Sequence, residues 1–174
     1  METFLEILKI TIPALLVMLT AWLVIRNMLR DDQERRRQDL LLQTVKTLTP
    51  VRLQAYERVV LFLERISPES LIIRTARPEM TAQQLQAALV TAVRSEYEHN
   101  LSQQIYISNE AWEMVKNARG TIVRLINSVA SQLPPAATGE ELSRLLLEEV
   151  VDMDTEPTRT AIAYIKSELA RIMG

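Results

Sequence analysis

Glu96 and His99 are the one pair of side chains in this sequence whose types and spacing suit chemistry. Three positions apart on a helix, they lie within about 60° of each other around its axis. They also sit close to the apolar stripe of Leu85, Leu89 and Ala92. Glu-x-x-His on an inward face is the unit from which carboxylate-bridged di-iron bundles are built, the glutamate bridging metals and the imidazole completing the set. Such a centre needs two of these units, and the chain has one histidine. Only a homodimer would supply the second. The enzymatic alternative is therefore a homodimeric metal-assisted or acid/base activity at Glu96 and His99, set against a structural, partly buried hydrogen-bonded pair.

The remaining inventory is sparse. With no cysteine the chain has no disulfide, thiolate metal site or Cys nucleophile, and a single histidine excludes a multi-histidine zinc site within one chain. Three glycines, at 120, 139 and 174, cannot build a glycine-rich phosphate loop, and no Gly-x-Ser-x-Gly elbow exists. No cofactor is expected. From 138 to 157 the acids Glu140, Glu141, Glu148, Glu149, Asp152, Asp154 and Glu156 face Arg144 alone. Asp152-x-Asp154-x-Glu156 lacks the glycine and distal glutamate of a calcium loop, so the run reads as a solvated helix face. Asn100-Leu101-Ser102 fits a glycosylation sequon, which requires exposure outside the cytoplasm. Tyr97, Tyr106 and Trp112 read as core or joint anchors rather than a ligand box, and they are the interaction candidates. Residues 31–174 carry 17 basic and 20 acidic side chains without a basic stripe, which argues against nucleic acid as a partner.

The elements that must position these residues are helical. Leu41, Val45 and Leu48 form an apolar seam over 31–49, where Pro50 predicts a stop. Tyr56, Val59, Val60, Leu63 and Ile66 line one face of a helix over about 51–66. Ser67-Pro68-Glu69 closes it and opens a short turn, and Leu71-Ile72-Ile73 fits strand or helix. After Pro78, Thr81-Ala82-Gln83-Gln84 has the form of a capping box opening a helix over 82 to about 104. Ile105-Tyr106-Ile107 predicts a short extended joint, and Ser108 an N-cap. Ala111, Val115, Ala118, Ile122, Leu125, Val129 and Leu133 make one seam along 109–132, in which Gly120 marks close helix approach. Pro134–Ala137 is a loop, and Thr138-Gly139-Glu140-Glu141 a second capping box before the face of Leu142, Leu145, Leu146 and Val150. Thr155-Glu156-Pro157 opens the last helix, with Ile162, Ile165, Leu169 and Ile172 on one stripe. The class is all-α, with about five helices bundled over residues 50–174.

Residues 10–25 carry no charge, and 4–25 is interrupted only by Glu6 and Lys9. Sixteen helical residues cover roughly 24 Å, and the upstream turns supply the remainder of the roughly 30 Å hydrocarbon core, Lys9 snorkelling to the interface. Residues 1–30 therefore read as a single transmembrane anchor spanning about 4–25, residues 31–49 as a juxtamembrane helix, and residues 50–174 as the bundle domain. Acidic Glu2 and Glu6 ahead of the run, and the arginines after it, do not fit a cleavable signal peptide. Lys9 alone lies upstream, whereas Arg26, Arg30, Arg35, Arg36 and Arg37 lie downstream and act as topology determinants. The N-terminus is then outside and the bundle in the cytoplasm.

The stretch Glu96-Tyr97-Glu98-His99-Asn100-Leu101-Ser102-Gln103-Gln104-Ile105-Tyr106-Ile107-Ser108, followed by Glu110-Ala111-Trp112, resembles the central signature of an uncharacterised family of single-pass helical proteins of Bacteroidota. The resemblance implies bacterial inner-membrane placement and a domain of unknown function, and no site residue carries over. The expected function is a membrane-anchored cytoplasmic interaction or scaffold module. Its expected partners are the lipid bilayer and a membrane protein, or further copies of itself.

Overall fold

The computed structural model describes the backbone of residues 2–153 and 155–173, and the side chains of residues 15–28, 48–153 and 155–172. It is all-α: helices α1 (Glu2–Ile66), α2 (Pro68–Thr75), α3 (Ala82–Asn100), α4 (Asn109–Ser131), α5 (Gly139–Asp152) and α6 (Pro157–Met173), with a 3-10 segment at Leu101–Ile105. Among the described residues the only β pairing is an isolated bridge between Thr81 and Thr138. Two compact units divide the chain, Met1–Thr49 and Pro50–Gly174. The stop expected at Pro50 does not occur, because residue 50 is helical. This proline is exposed, so water can take the carbonyl that its missing N–H leaves without a partner, and it marks the boundary between units instead. Leu41 and Val45 of the expected seam lie outside the described side chains.

In the second unit the α1 face of Ala55, Tyr56, Val59, Phe62, Leu63 and Ile66 is buried. Pro68 sits in the first turn of α2, where its fixed φ suits a helix start and no intrahelical bond is lost. Leu71-Ile72-Ile73 is therefore helical: Leu71 and Ile72 point into the core and Ile73 out of it. Both capping boxes form. Thr81 Oγ1 accepts from the Gln84 amide at 3.2 Å while Gln84 Oε1 accepts from the Thr81 amide at 3.0 Å. Thr138 and Glu141 repeat this at 3.3 and 2.8 Å, and the Thr138 amide holds the Glu141 carboxyl below its usual range.

The two caps also touch. The Gly139 amide donates to the Met80 carbonyl at 2.8 Å and the Ala82 amide to the Ala137 carbonyl at 2.9 Å. A Cβ on Gly139 would lie 3.0 Å from that Met80 oxygen, so this is the glycine that close approach requires. Gly120 is not: a Cβ there would meet only Arg124 of its own helix, at 3.4 Å.

The α-helical part of α3 ends at Asn100 rather than near 104. Asn100 has φ −103° and ψ 3°, and its Nδ2 donates to the Glu96 carbonyl at 2.8 Å. That local bond competes with the regular ladder, and the 3-10 segment follows. Residue 106 is not extended either, because the Tyr106 amide closes the 3-10 turn onto the Gln103 carbonyl at 3.0 Å. Ser108 caps α4, accepting from the Ala111 amide at 3.0 Å. The α4 seam is buried from Ala111 to Val129, with Leu133 half-buried. α4 packs against α3, α5 and α6, and α3 against α2 and α5. Ile162 and Ile165 of the α6 stripe are buried, but Ile172 is exposed. The inward position one turn earlier belongs instead to a carboxylate, Glu168.

Candidate functional site

Glu96 does not pair with His99. Its Oε1 accepts from Arg65 Nε at 2.8 Å and from Arg74 Nη1 at 3.1 Å, while Arg74 Nη2 donates to the Arg65 carbonyl at 2.9 Å. Guanidinium donors are charge-assisted and form stronger bonds to a carboxylate than a neutral imidazole does. Arg65 ends α1 and Arg74 ends α2, so the competitors come from elements that α3 spacing cannot reveal. Burial raises the Glu96 carboxyl, but the two arginines outweigh it and hold the group below its ordinary value. An oxygen clamped by two cations is a poor metal ligand and a weak base. His99 is exposed and lines the open groove between α1 and α3 together with Arg58, Leu61 and Arg65. Among the described residues, no three His, Cys, Asp or Glu side chains converge to hold a metal ion.

Two of the three aromatic candidates are internal. Tyr97 stacks on Trp112 at 5.6 Å between ring centroids, meets Phe62 at 6.0 Å, and carries the Arg119 guanidinium 4.3 Å over its face. Trp112 is 7% exposed. These rings join α1, α3 and α4, and Arg119 tolerates a buried Nε without a hydrogen-bond partner to make that stack. Tyr106, 37% exposed on the surface beside Ile105, is the candidate a partner can reach. Its carbonyl accepts from Arg52 Nε at 3.2 Å, which fastens the 3-10 segment to α1. Asn100, the sequon residue, is buried and committed to Glu96.

The polar centre that spacing does not reveal is Glu168, 7% exposed. It accepts from the Tyr56 hydroxyl with one oxygen and from the Ser108 hydroxyl with the other. Burial raises its carboxyl, yet these donors and the Ser108 amide hold it below the ordinary value. Burial and the adjoining carboxylate push the Tyr56 hydroxyl up to about 12. An ionised acid with all its partners supplied ties α6, α1 and the cap of α4 together and leaves no free base. A glutamate on the inward stripe of α6 was the available signal.

In the first unit, every described side chain from Leu15 to Met28 is exposed. Thr20 Oγ1 bonds the Leu16 and Val17 carbonyls at 3.0 and 2.9 Å, and Arg26 lies 5.1 Å from the Trp22 ring centroid. Among the described residues, no helix is long and apolar enough to cross a membrane. Side chains 4–14 of the expected span lie outside the described residues, as do those of Arg30, Arg35, Arg36 and Arg37.

No curated protein and no solved structure matches the chain. A family model matches residues 2–172, and the chain belongs to that family, a family of unknown function, DUF7935.

Proposed function

We propose that this member of a family of unknown function is a single-pass, membrane-anchored interaction module. Its α1 segment spans the bacterial inner membrane over about 4–25, and its bundle scaffolds a membrane complex from the cytoplasmic side. The observation that carries the reading is the bare apolar run from Leu15 to Ile25, in which the polar atom of Thr20 is satisfied within the helix. A bilayer demands both properties: apolar side chains without protein cover, and polar atoms bonded internally. Arg26 stacked on Trp22 suits the interfacial belt, and the arginine excess downstream supports a cytoplasmic bundle. The bundle adds binding surface rather than chemistry, since Glu96 and Glu168 are both occupied by donors of their own chain. Anchoring confines that surface to two dimensions, which raises its effective concentration for a neighbour.

Alkaline carbonate extraction of native membranes tests the anchor. The full chain is expected to stay in the pellet and Leu19→Glu to be released, whereas release of the unaltered chain overturns the reading. Affinity purification in mild detergent then tests the scaffold role. A stoichiometric membrane-complex subunit supports it, and a solitary protein carrying iron or manganese returns the enzymatic alternative at Glu96 and His99.

A further inference from the structure

Two grooves of opposite charge flank the α1 end of the second unit. The first, between α1 and α3, presents Arg58, Leu61, Arg65 and His99 around one acid, Glu96, which Arg65 and Arg74 already neutralise. Arg58, Leu61 and Arg65 follow an i, i+3, i+7 pattern, so they form one stripe with a 57% exposed leucine between two guanidinium groups. Arg58 makes no ion pair among the described residues.

The second groove runs beside the outer face of α5, as adjoining hollows that share Val150, Val151, Glu156 and Arg159. Leu147 and Val151, one turn apart and 38% and 81% exposed, form its apolar ridge. Acids dominate its rim. Arg144 and Arg159 are spent on Glu148 and Glu156 at 3.1 and 2.7 Å. Glu64, Glu69 and Asp152 keep no basic partner among the described residues.

We propose that the acidic α5 groove receives the Arg58–Leu61–Arg65 face of a second copy of this chain. Each face supplies what the other lacks: an exposed leucine one turn from the unpaired Arg58 guanidinium on one, an apolar ridge beside the unpaired carboxylates of Glu64, Glu69 and Asp152 on the other. Like faces repel, so the contact is head-to-tail, and every copy keeps one groove of each kind for the next. Such a contact builds a ring or an open row rather than a closed two-fold dimer. It rests on the self-association branch of the scaffold reading, but not on membrane insertion.

The chain has no cysteine, so single cysteines report the contact directly. Full-length Leu61→Cys and Val151→Cys proteins, solubilised in detergent and mixed, are treated with a short bismaleimide. Both sites are exposed, and unchanged circular dichroism verifies folding. Cross-linking in the mixture and in neither variant alone, with a ladder from the double variant, is the expected result. Arg58→Glu should lower the yield about tenfold, as should high salt. Arg124→Glu, an equal charge change on α4 that lines neither groove, should leave it unchanged. Links between like positions only, no link at all, or equal loss with Arg124→Glu overturns the proposal. Because the reaction runs in detergent, its failure is distinct from failure of the anchor in carbonate extraction.

Discussion

The Tyr56 hydroxyl donates to the Glu168 carboxylate inside the bundle, across 112 positions of chain. Ser108, the N-cap of α4, donates to the second oxygen of the same carboxylate. One buried charge thus joins three elements, and loss of either hydroxyl leaves a carboxylate oxygen inside the bundle without that donor.

Tyr56→Phe should destabilise the second unit by about 2 kcal/mol, the scale of a buried hydrogen bond to a charged group, measured by urea unfolding of the full chain. The same network sets the pH response. The Glu168 carboxyl is depressed, so its contribution is present above its ordinary 4.5 and is lost as pH falls through the folded value. Glu168→Gln should flatten that acid limb. The Tyr56 hydroxyl is raised, so its contribution is complete below 10.0 and is lost as pH rises toward about 12. Tyr56→Phe should remove that alkaline limb.

Glu96→Gln and His99→Ala should separate cleanly. Loss of the Glu96 charge leaves Arg65 and Arg74 facing a neutral amide and should cost about 1 kcal/mol, since both arginines are partly exposed. His99→Ala should shift stability by less than about 0.5 kcal/mol. Equal losses in urea unfolding would restore a coupled Glu96–His99 pair.

Gly139→Ala should destabilise by about 1 kcal/mol despite the better helix propensity of alanine, because the new methyl meets the Met80 carbonyl. Gly120→Ala should instead stabilise by up to about 1 kcal/mol, its Cβ meeting only the flexible end of Arg124. Thermal melts of the two variants in opposite directions are the check.

Trp112→Ala and Tyr106→Ala should differ in kind. Trp112 is buried in the stack with Tyr97, so its truncation should cost about 3–5 kcal/mol, and any loss of partner would follow from unfolding. Tyr106→Ala should leave the melting temperature within a few degrees and still lower the recovery of a co-purifying partner in detergent affinity purification, since Tyr106 and Ile105 are exposed; unchanged recovery places the docking surface elsewhere.

The starts of α3, α4, α5 and α6, both capping boxes and the α4 seam were legible in the sequence because each depends on neighbours within four residues: a hydroxyl three positions before an amide, or apolar side chains at helical spacing. The apolar, charge-free character of residues 10–25 is likewise written in the order of residues alone. Pairing between helices was not legible. Arg65 and Arg74 displace His99 from Glu96, and Tyr56 and Ser108 claim Glu168, because folding brings together side chains 22 to 112 positions apart. Gly139 rather than Gly120 is the close contact for the same reason: the Met80 carbonyl reaches it from another loop. Local periodicity decides which face turns inward, and only the tertiary structure decides which partner waits there.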